Sequence, residues 1–305
     1  MIIDGNERAS LINRKNERTI ALLMIAPTII SFVIFLYIPF VQALQTSVYK
    51  YNGLGPLQNF VGMKNYIKVF NDPKFFHSLY DTFFLMGAGV LAVPIGFILA
   101  YVLFLGVPGG KIFSSMLFIP YLISMVVVGC IWRIIYDPAI GPLNQLLKAA
   151  GMGGLARAWL SRPESALGAI AVTWIWRSAP FNMLIIYANI SKMPDDFIEA
   201  ADIDGANTLQ KLIDIIIPYL KPTFATLFIL SVTNALRLFD LVWVMTKGGP
   251  GGASDVVTSY IYTKAFTNMD FGLGTAASVV LMAIMVSIMV IFSLGKKLIS
   301  ARDTQ

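Results

Sequence analysis

Charge is scarce in this chain: 13% of its 305 residues are Asp, Glu, Lys or Arg, against 57% hydrophobic residues. Soluble globular domains carry about a quarter charged residues, so that class is excluded. Histidine occurs once (His77) and cysteine once (Cys130). A single histidine cannot build a histidine-based metal centre, and a single cysteine excludes an internal disulfide. His77 reads as a residue at a membrane interface, and Cys130 as a small buried side chain. No enzymatic constellation is present. The stretch Gly106-Val-Pro-Gly-Gly110-Lys111 falls short of a P-loop, with Leu105 at the first glycine position and Ile112 at the Ser/Thr position. It reads as a short turn. If nucleotide energy drives this protein, another chain hydrolyses it. The net charge of +6 suits an anionic lipid surface, and no aromatic-basic patch points to nucleic acid.

The apolar residues come in charge-free blocks, each longer than the roughly 20 residues that carry a helix across a bilayer. Lipid satisfies no backbone N–H or C=O, so such blocks must be helical. The expected fold class is all-α, a polytopic membrane protein with six transmembrane helices at 19–45, 78–106, 112–136, 165–190, 216–246 and 271–295. The expected organisation is a segment 1–18, a permease domain 19–295 with a loop at 191–215, and a tail 296–305. Pro27, Pro39, Pro94, Pro120 and Pro180 fall within or at the ends of spans, where neighbouring helices can satisfy the freed carbonyls. Gly87-Ala-Gly89 and Gly272-Leu-Gly274 allow close helix packing.

Arg14, Lys15 and Arg18 precede an apolar run from Thr19 to Tyr49. That run is too long for a signal peptide core, and span 1 is expected to stay as an anchor. The basic cluster places the N-terminus in the cytoplasm. Six spans then put the C-terminus and the 191–215 loop there too, with 47–76, 137–163 and 247–270 outside. Within the last of these, Lys247-Gly-Gly-Pro-Gly-Gly-Ala-Ser254 is expected to make a tight turn, and Thr258–Thr263 a short interfacial helix.

One polar stretch stands apart, Met193-Pro-Asp-Asp-Phe-Ile-Glu-Ala-Ala-Asp-Ile-Asp-Gly205. Pro194 favours a helix start, while Asp195 and Asp196 complement the positive end of the helix dipole. Phe197, Ile198 and Ala201 are expected on one face, with Ala200 and Ala201 permitting close approach by another surface. Asp204-Gly205 reads as the stop, and Asn207 or Thr208 as the cap of a second helix entering span 5. The residues alone fit either a dipole-balanced connector or a docking element.

Glu199-Ala200-Ala201, Gly205 and the following Ile215, Ile217 and Pro218 resemble the EAA loop of ATP-binding-cassette (ABC) importer permeases, with Ile217 at the usual leucine. Phe60–Tyr66, Phe118-Ile-Pro-Tyr121, Ile131-Trp-Arg133, Phe239-Asp240 and Thr246–Pro250 extend the resemblance to the carbohydrate type, and to the first-subunit kind of its maltose permeases. The resemblance implies the ABC type I importer permease fold and a bacterial inner-membrane location. It implies that Glu199, Ala200, Ala201, Asp202 and Gly205 couple the chain to an ATPase. It also implies a second permease subunit, a cytoplasmic ATPase dimer that holds ATP and Mg, and an extracytoplasmic sugar-binding protein. No cofactor is expected on this chain itself.

Spans 4 and 5 carry polar groups at bilayer depth, where they are costly and usually face a pathway. Ser231, Asn234 and Arg237 recur every three residues as a stripe. Aromatic rings can cover sugar C–H faces while polar side chains bind hydroxyls. The maltose-type resemblance carries substrate contacts onto Trp174, Arg177, Ser178, Phe181, Ser231, Ala235 and Leu238, with Asn234 one position before Ala235. Ala235 and Leu238 stand where that type has amide side chains, which argues against maltose itself. Arg177, Arg237 and Asp240 also fit a structural role, Arg237 and Asp240 pairing with each other, and Arg133 fits a snorkelling one. The alternatives are an importer of an anionic solute, such as a glycerol phosphodiester or uronate, or an ATP-independent secondary transporter. Against the latter, neither an inverted repeat nor an intramembrane carboxylate array is apparent.

Overall fold

The structure, a computed structural model, describes residues 19–302 apart from Ala21, with side chains through Gly295 apart from that of Lys111. The segment 1–18 with its basic cluster, and residues 303–305 of the expected tail, lie outside the described residues. In chain order the elements begin with α1 (Leu22–Ser47), a two-stranded antiparallel ribbon (β1 Tyr49–Lys50, β2 Asn59–Phe60) and α2 (Lys64–Phe70). Then come α3 (Pro73–Phe104), α4 (Gly110–Leu122), α5 (Met125–Ile135), α6 (Pro142–Ala149) and α7 (Pro163–Ile190). The rest are α8 (Asp196–Ile203), α9 (Thr208–Tyr219), α10 (Lys221–Leu236), α11 (Asp240–Met245), α12 (Val257–Tyr262) and α13 (Phe271–Arg302).

Four helices, α1, α3, α7 and α13, are each long and apolar enough to cross a membrane, and two bent pairs bring the number to six when each is counted as one span. The bends divide two of the six expected spans. Span 3 is α4 and α5, set at 99°, with Ile123 and Ser124 extended between them. Span 5 is α9 and α10, set at 63°. It begins at Thr208 rather than 216 and ends at Leu236 rather than 246. Pro218 and Pro222 flank the second bend, and neither has an N–H to continue the helical ladder. After Leu236 the chain leaves the helix, and the Leu238 carbonyl accepts instead from the Thr258 hydroxyl at 2.6 Å. The last apolar stretch, Phe271–Gly295, has the bounds expected of span 6, and its helix runs on to Arg302.

The bundle is organised around the α3–α7 crossing. A Cβ at Gly96 would lie 2.6 Å from Asn182 Cβ and 2.9 Å from the Ala179 carbonyl oxygen, so the two helices touch backbone to backbone there. Gly274 likewise meets Ala265, but a Cβ at Gly87 would have nothing within 4 Å, so only part of the expected small-residue packing is used. One apolar cluster joins α3, α5, α7 and α11 through Leu85, Val128, Trp174 and Val242. A second joins α2, α3, α10, α12 and α13 through Val69, Phe75, Leu236, Tyr260 and Ala276. A third, with Val93, Met183, Ile190 and Ile216, lies toward α8. The apolar stretch of α1 has no buried residue, and α1 packs on α13.

Cys130 is exposed, which corrects the expectation of a buried side chain. Val128 and Gly129 take the inward face of α5, Gly129 against Val244, and the next residue is turned outward by about 100°.

Candidate functional site

Two sites sit at different depths of this frame. The first is a cavity of about 300 Å³ whose wall comes from α3, α4, α5, α7, α10 and α11. The structure brings together Trp174, Arg177, Ser178, Phe181, Ser231, Asn234 and Leu238 around it, seven of the eight substrate-binding candidates. Ala235, the eighth, is 1% exposed and does not line the cavity. Arg237 and Asp240 line it too, but among the described residues no ion pair joins them.

Sequence reasoning did not single out Tyr121 for this wall, because a straight span 3 would not deliver it. The break after Leu122 leaves the Tyr121 carbonyl without a helical partner, and Arg177 Nη2 donates to it at 3.3 Å. The same guanidinium lies 4.9 Å from the centre of the Tyr121 ring, and that ring stacks on Phe181 at 4.7 Å. Arg177 therefore caps a helix end and holds two aromatic faces in place, a cation–π arrangement that gains as water is excluded. Pro120 beside an aromatic residue was the available signal. Trp174 Nε1, Arg177 Nε and Asn182 Nδ2 are buried donors with no protein partner among the described residues. Each costs about 1–3 kcal/mol unless an acceptor reaches it. The cavity thus combines ring faces with an excess of donors, a surface suited to a polyhydroxylated ligand rich in acceptors.

The second site is α8 with its flanks. Asp195 is its N-cap, Asp196 and Glu199 lie in its first turn, and Asp204 ends it. Gly205 then adopts φ +75°, which a residue with a Cβ reaches only at a cost. The Ala206 N–H closes the turn on the Ala201 carbonyl at 2.9 Å. Asn207 caps α9 in a capping box with Gln210. Ile198 packs on the third apolar cluster and Ala201 is buried, whereas Phe197 is half exposed, its ring 6.5 Å from that of Tyr219. Of the coupling candidates, Glu199, Ala200 and Gly205 face outward. Asp202 is tied to Lys211 in an ion pair, and Ala201 faces the loop's own interior. The exposed face adds Ile203, 87% accessible, to Glu199 and Ala200.

At the end of the bundle away from α8, polar contacts tie the loops to α3. Asp72, the N-cap of α3, accepts from Lys264 Nζ at 2.9 Å and the Tyr260 hydroxyl at 2.8 Å. Burial pushes its carboxyl up, but these bonds and the Lys74 N–H outweigh that and hold it below its ordinary value. The Lys247–Ser254 run makes the expected tight turn, closed by the Ser254 hydroxyl on the Gly249 carbonyl at 2.6 Å. It leads into α12, the expected short helix. His77, with its side chain 55% exposed, lies 3.7 Å from Asp81 in the first turns of α3.

The family described as binding-protein-dependent transport system inner membrane component matches residues 92–302, a stretch that includes α8 and every residue lining the central cavity except Gly89. The chain belongs to that family. It is 31% identical over 271 residues to the sn-glycerol-3-phosphate transport system permease protein UgpA of Brucella abortus, covering 87% of this chain and 90% of that one. It is 29% identical over 291 residues to the trehalose/maltose transport system permease protein MalF of Thermococcus litoralis, covering 95% and 97%. A solved chain of a bacterial ABC transporter that imports the acidic polysaccharide alginate has the same fold, with a TM-score of 0.83 at 23% identity, covering 94% of this chain and 98% of that one. The chain is an ABC importer permease with the type I fold, a membrane transport subunit rather than an enzyme.

Proposed function

We propose that this permease forms half of the translocation path of a carbohydrate importer and takes its substrate in the central cavity. The observation that carries the reading is that cavity's wall. Tyr121, Phe181 and Trp174 supply ring faces, while Ser178, Ser231, Asn234 and Arg237 supply hydrogen-bonding groups. A relative named for trehalose and maltose transport adds support. A second, different permease would complete the path, an ATPase dimer would hold ATP and Mg, and an external binding protein would deliver substrate. Both termini and α8 would then be cytoplasmic, in a bacterial inner membrane.

In this reading α8 is the coupling helix, with Glu199, Ala200 and Ile203 facing the ATPase. Closure of the ATPases on ATP displaces α8. The Asp202–Lys211 pair and the packing of Ile198 make α8 and α9 move together, and α9 leads through the 63° bend into the cavity wall. Only contacts that differ between the two states of the bundle can turn ATP binding into opening.

A second reading rests on one observation: two guanidinium groups, Arg177 and Arg237, line the cavity against one carboxylate, Asp240. An anionic solute would suit that balance, and a relative is named for sn-glycerol-3-phosphate. Purification through a tag on this chain, followed by mass spectrometry and an uptake panel of neutral sugars, uronates and glycerol phosphodiesters, separates the readings. Co-purification of a second permease and an ATPase, with uptake of neutral sugars, is the expected result. Uptake of the anionic solutes alone would replace the substrate class. A stable homo-oligomer with no ATPase would overturn the reading.

A further inference from the structure

A second cavity, of about 410 Å³, is lined by Arg133, Tyr136, Asp137, Ser161, Met245 and Thr246 among others. It shares two helices with the central cavity. On α5, Met125 lines the central cavity and Arg133 the second, eight residues or about 12 Å further along the helix axis. On α11, Asp240 lines the first and Met245 the second, five residues or about 8 Å apart. These helices pack without a gap, since a Cβ at Gly129 would lie 2.9 Å from Val244. The two cavities are thus strung along one rigid wall.

Three polar side chains of the second cavity, Arg133, Asp137 and Ser161, keep binding capacity, whereas the Thr246 hydroxyl is held by the Val242 carbonyl and the Ser254 hydroxyl. Arg133 lies in the last turn of α5 and Asp137 just beyond its end, and no ion pair joins them. Asp137 uses one carboxylate oxygen to hold the Ala139 and Ile140 N–H groups, at 2.8 and 2.9 Å, and its second oxygen has no such bond. Among the described residues the Ser161 hydroxyl has no protein partner either, while Tyr136, which also lines the cavity, is 3% exposed, its hydroxyl donating to the Ala169 carbonyl at 3.1 Å. A guanidinium donor and a free carboxylate oxygen in one cavity can bind neighbouring hydroxyls of one sugar ring through charge-assisted hydrogen bonds. Arg133, on sequence grounds a snorkelling residue, has here a defined neighbourhood.

We propose that this second cavity is a carbohydrate subsite at the end of the bundle away from α8. It would hold the distal units of an oligosaccharide whose leading unit occupies the central cavity. The proposal rests on the carbohydrate reading above and deepens it, since the spacing assigns the substrate a length of several units rather than one. Short substrates reach only the central cavity.

The test uses the complete importer with its binding protein in proteoliposomes, and two series of probes: maltooligosaccharides and alginate oligosaccharides of two to five units. The variants are Arg133→Leu and, as the milder change, Ser161→Ala. For whichever series the wild type takes up, Arg133→Leu is expected to raise the half-saturating concentration about tenfold for four and five units, the loss of one charge-assisted hydrogen bond, and Ser161→Ala about threefold, the loss of a neutral one. Two-unit substrates and ATPase activity without substrate should be unchanged. An equal effect at every length, or none at any length, would overturn the subsite while leaving carbohydrate import standing. ATP-dependent uptake of neither series would count against the carbohydrate reading, and the subsite falls with it.

Discussion

Arg177 shows how one side chain can serve the fold and the cavity together. It donates to the Tyr121 carbonyl freed by the α4–α5 break and lies against the ring that Phe181 stacks on, so removing it would disturb assembly as well as binding. Asn234 is the cleaner probe, because it lines the cavity and holds no described hydrogen bond within the protein. Asn234→Leu should raise the half-saturating substrate concentration roughly 5- to 10-fold with normal membrane insertion, measured by uptake against concentration. An unchanged concentration dependence would reduce Asn234 to packing. Asp72 gives a test by pH. Its folded carboxyl is held below the ordinary value of 3.8, so its contribution is complete above that pH and is lost as the pH falls through the lower folded value. Thermal unfolding between pH 6 and 3 should therefore fall more steeply for the wild type than for Asp72→Asn, and parallel curves would contradict the clamp on Lys264 and Tyr260.

Among the elements, the α3–α7 crossing makes the sharpest demand on sequence. Gly96→Val should lower stability by about 1–3 kcal/mol, read as a drop in thermal midpoint in detergent, because neither backbone can give way. Gly87→Ala, in open space on the same helix, should be neutral or stabilising by up to about 1 kcal/mol. Equal effects at both positions would mean that the crossing is looser than its geometry. Length and hydropathy made the long helices α3, α7 and α13 legible from sequence, and the Asp195, Gly205 and Asn207 signals made α8 legible to within a residue. The bends in spans 3 and 5 were not legible. Hydropathy is blind to direction, and Pro120, Pro218 and Pro222 mark where a helix can break without saying by how much. The cavity residues on α7 and α10 could therefore be named in advance, while Tyr121, delivered by the 99° bend, could not. Cys130 was misplaced for a related reason, because the inward face of α5 is set by Gly129 against Val244 and not by the apolar content of the span.

At the scale of the whole molecule, the proposed mechanism makes α8 and the central cavity parts of one mechanical path. The α8 loop is fastened to α9, α9 bends into α10, and α10 carries Ser231 and Asn234 into the cavity. The most direct test is ATP-driven sugar uptake by proteoliposomes holding this chain with its partner permease, ATPase and binding protein, comparing wild type with Glu199→Lys. The expected result is accumulation that requires ATP in the wild type. In the variant, uptake should fall at least about tenfold, a loss of ~1.4 kcal/mol or more in coupling, with the complex still assembled. Wild-type uptake by Glu199→Lys, or accumulation driven by an ion gradient without ATP, would contradict the account.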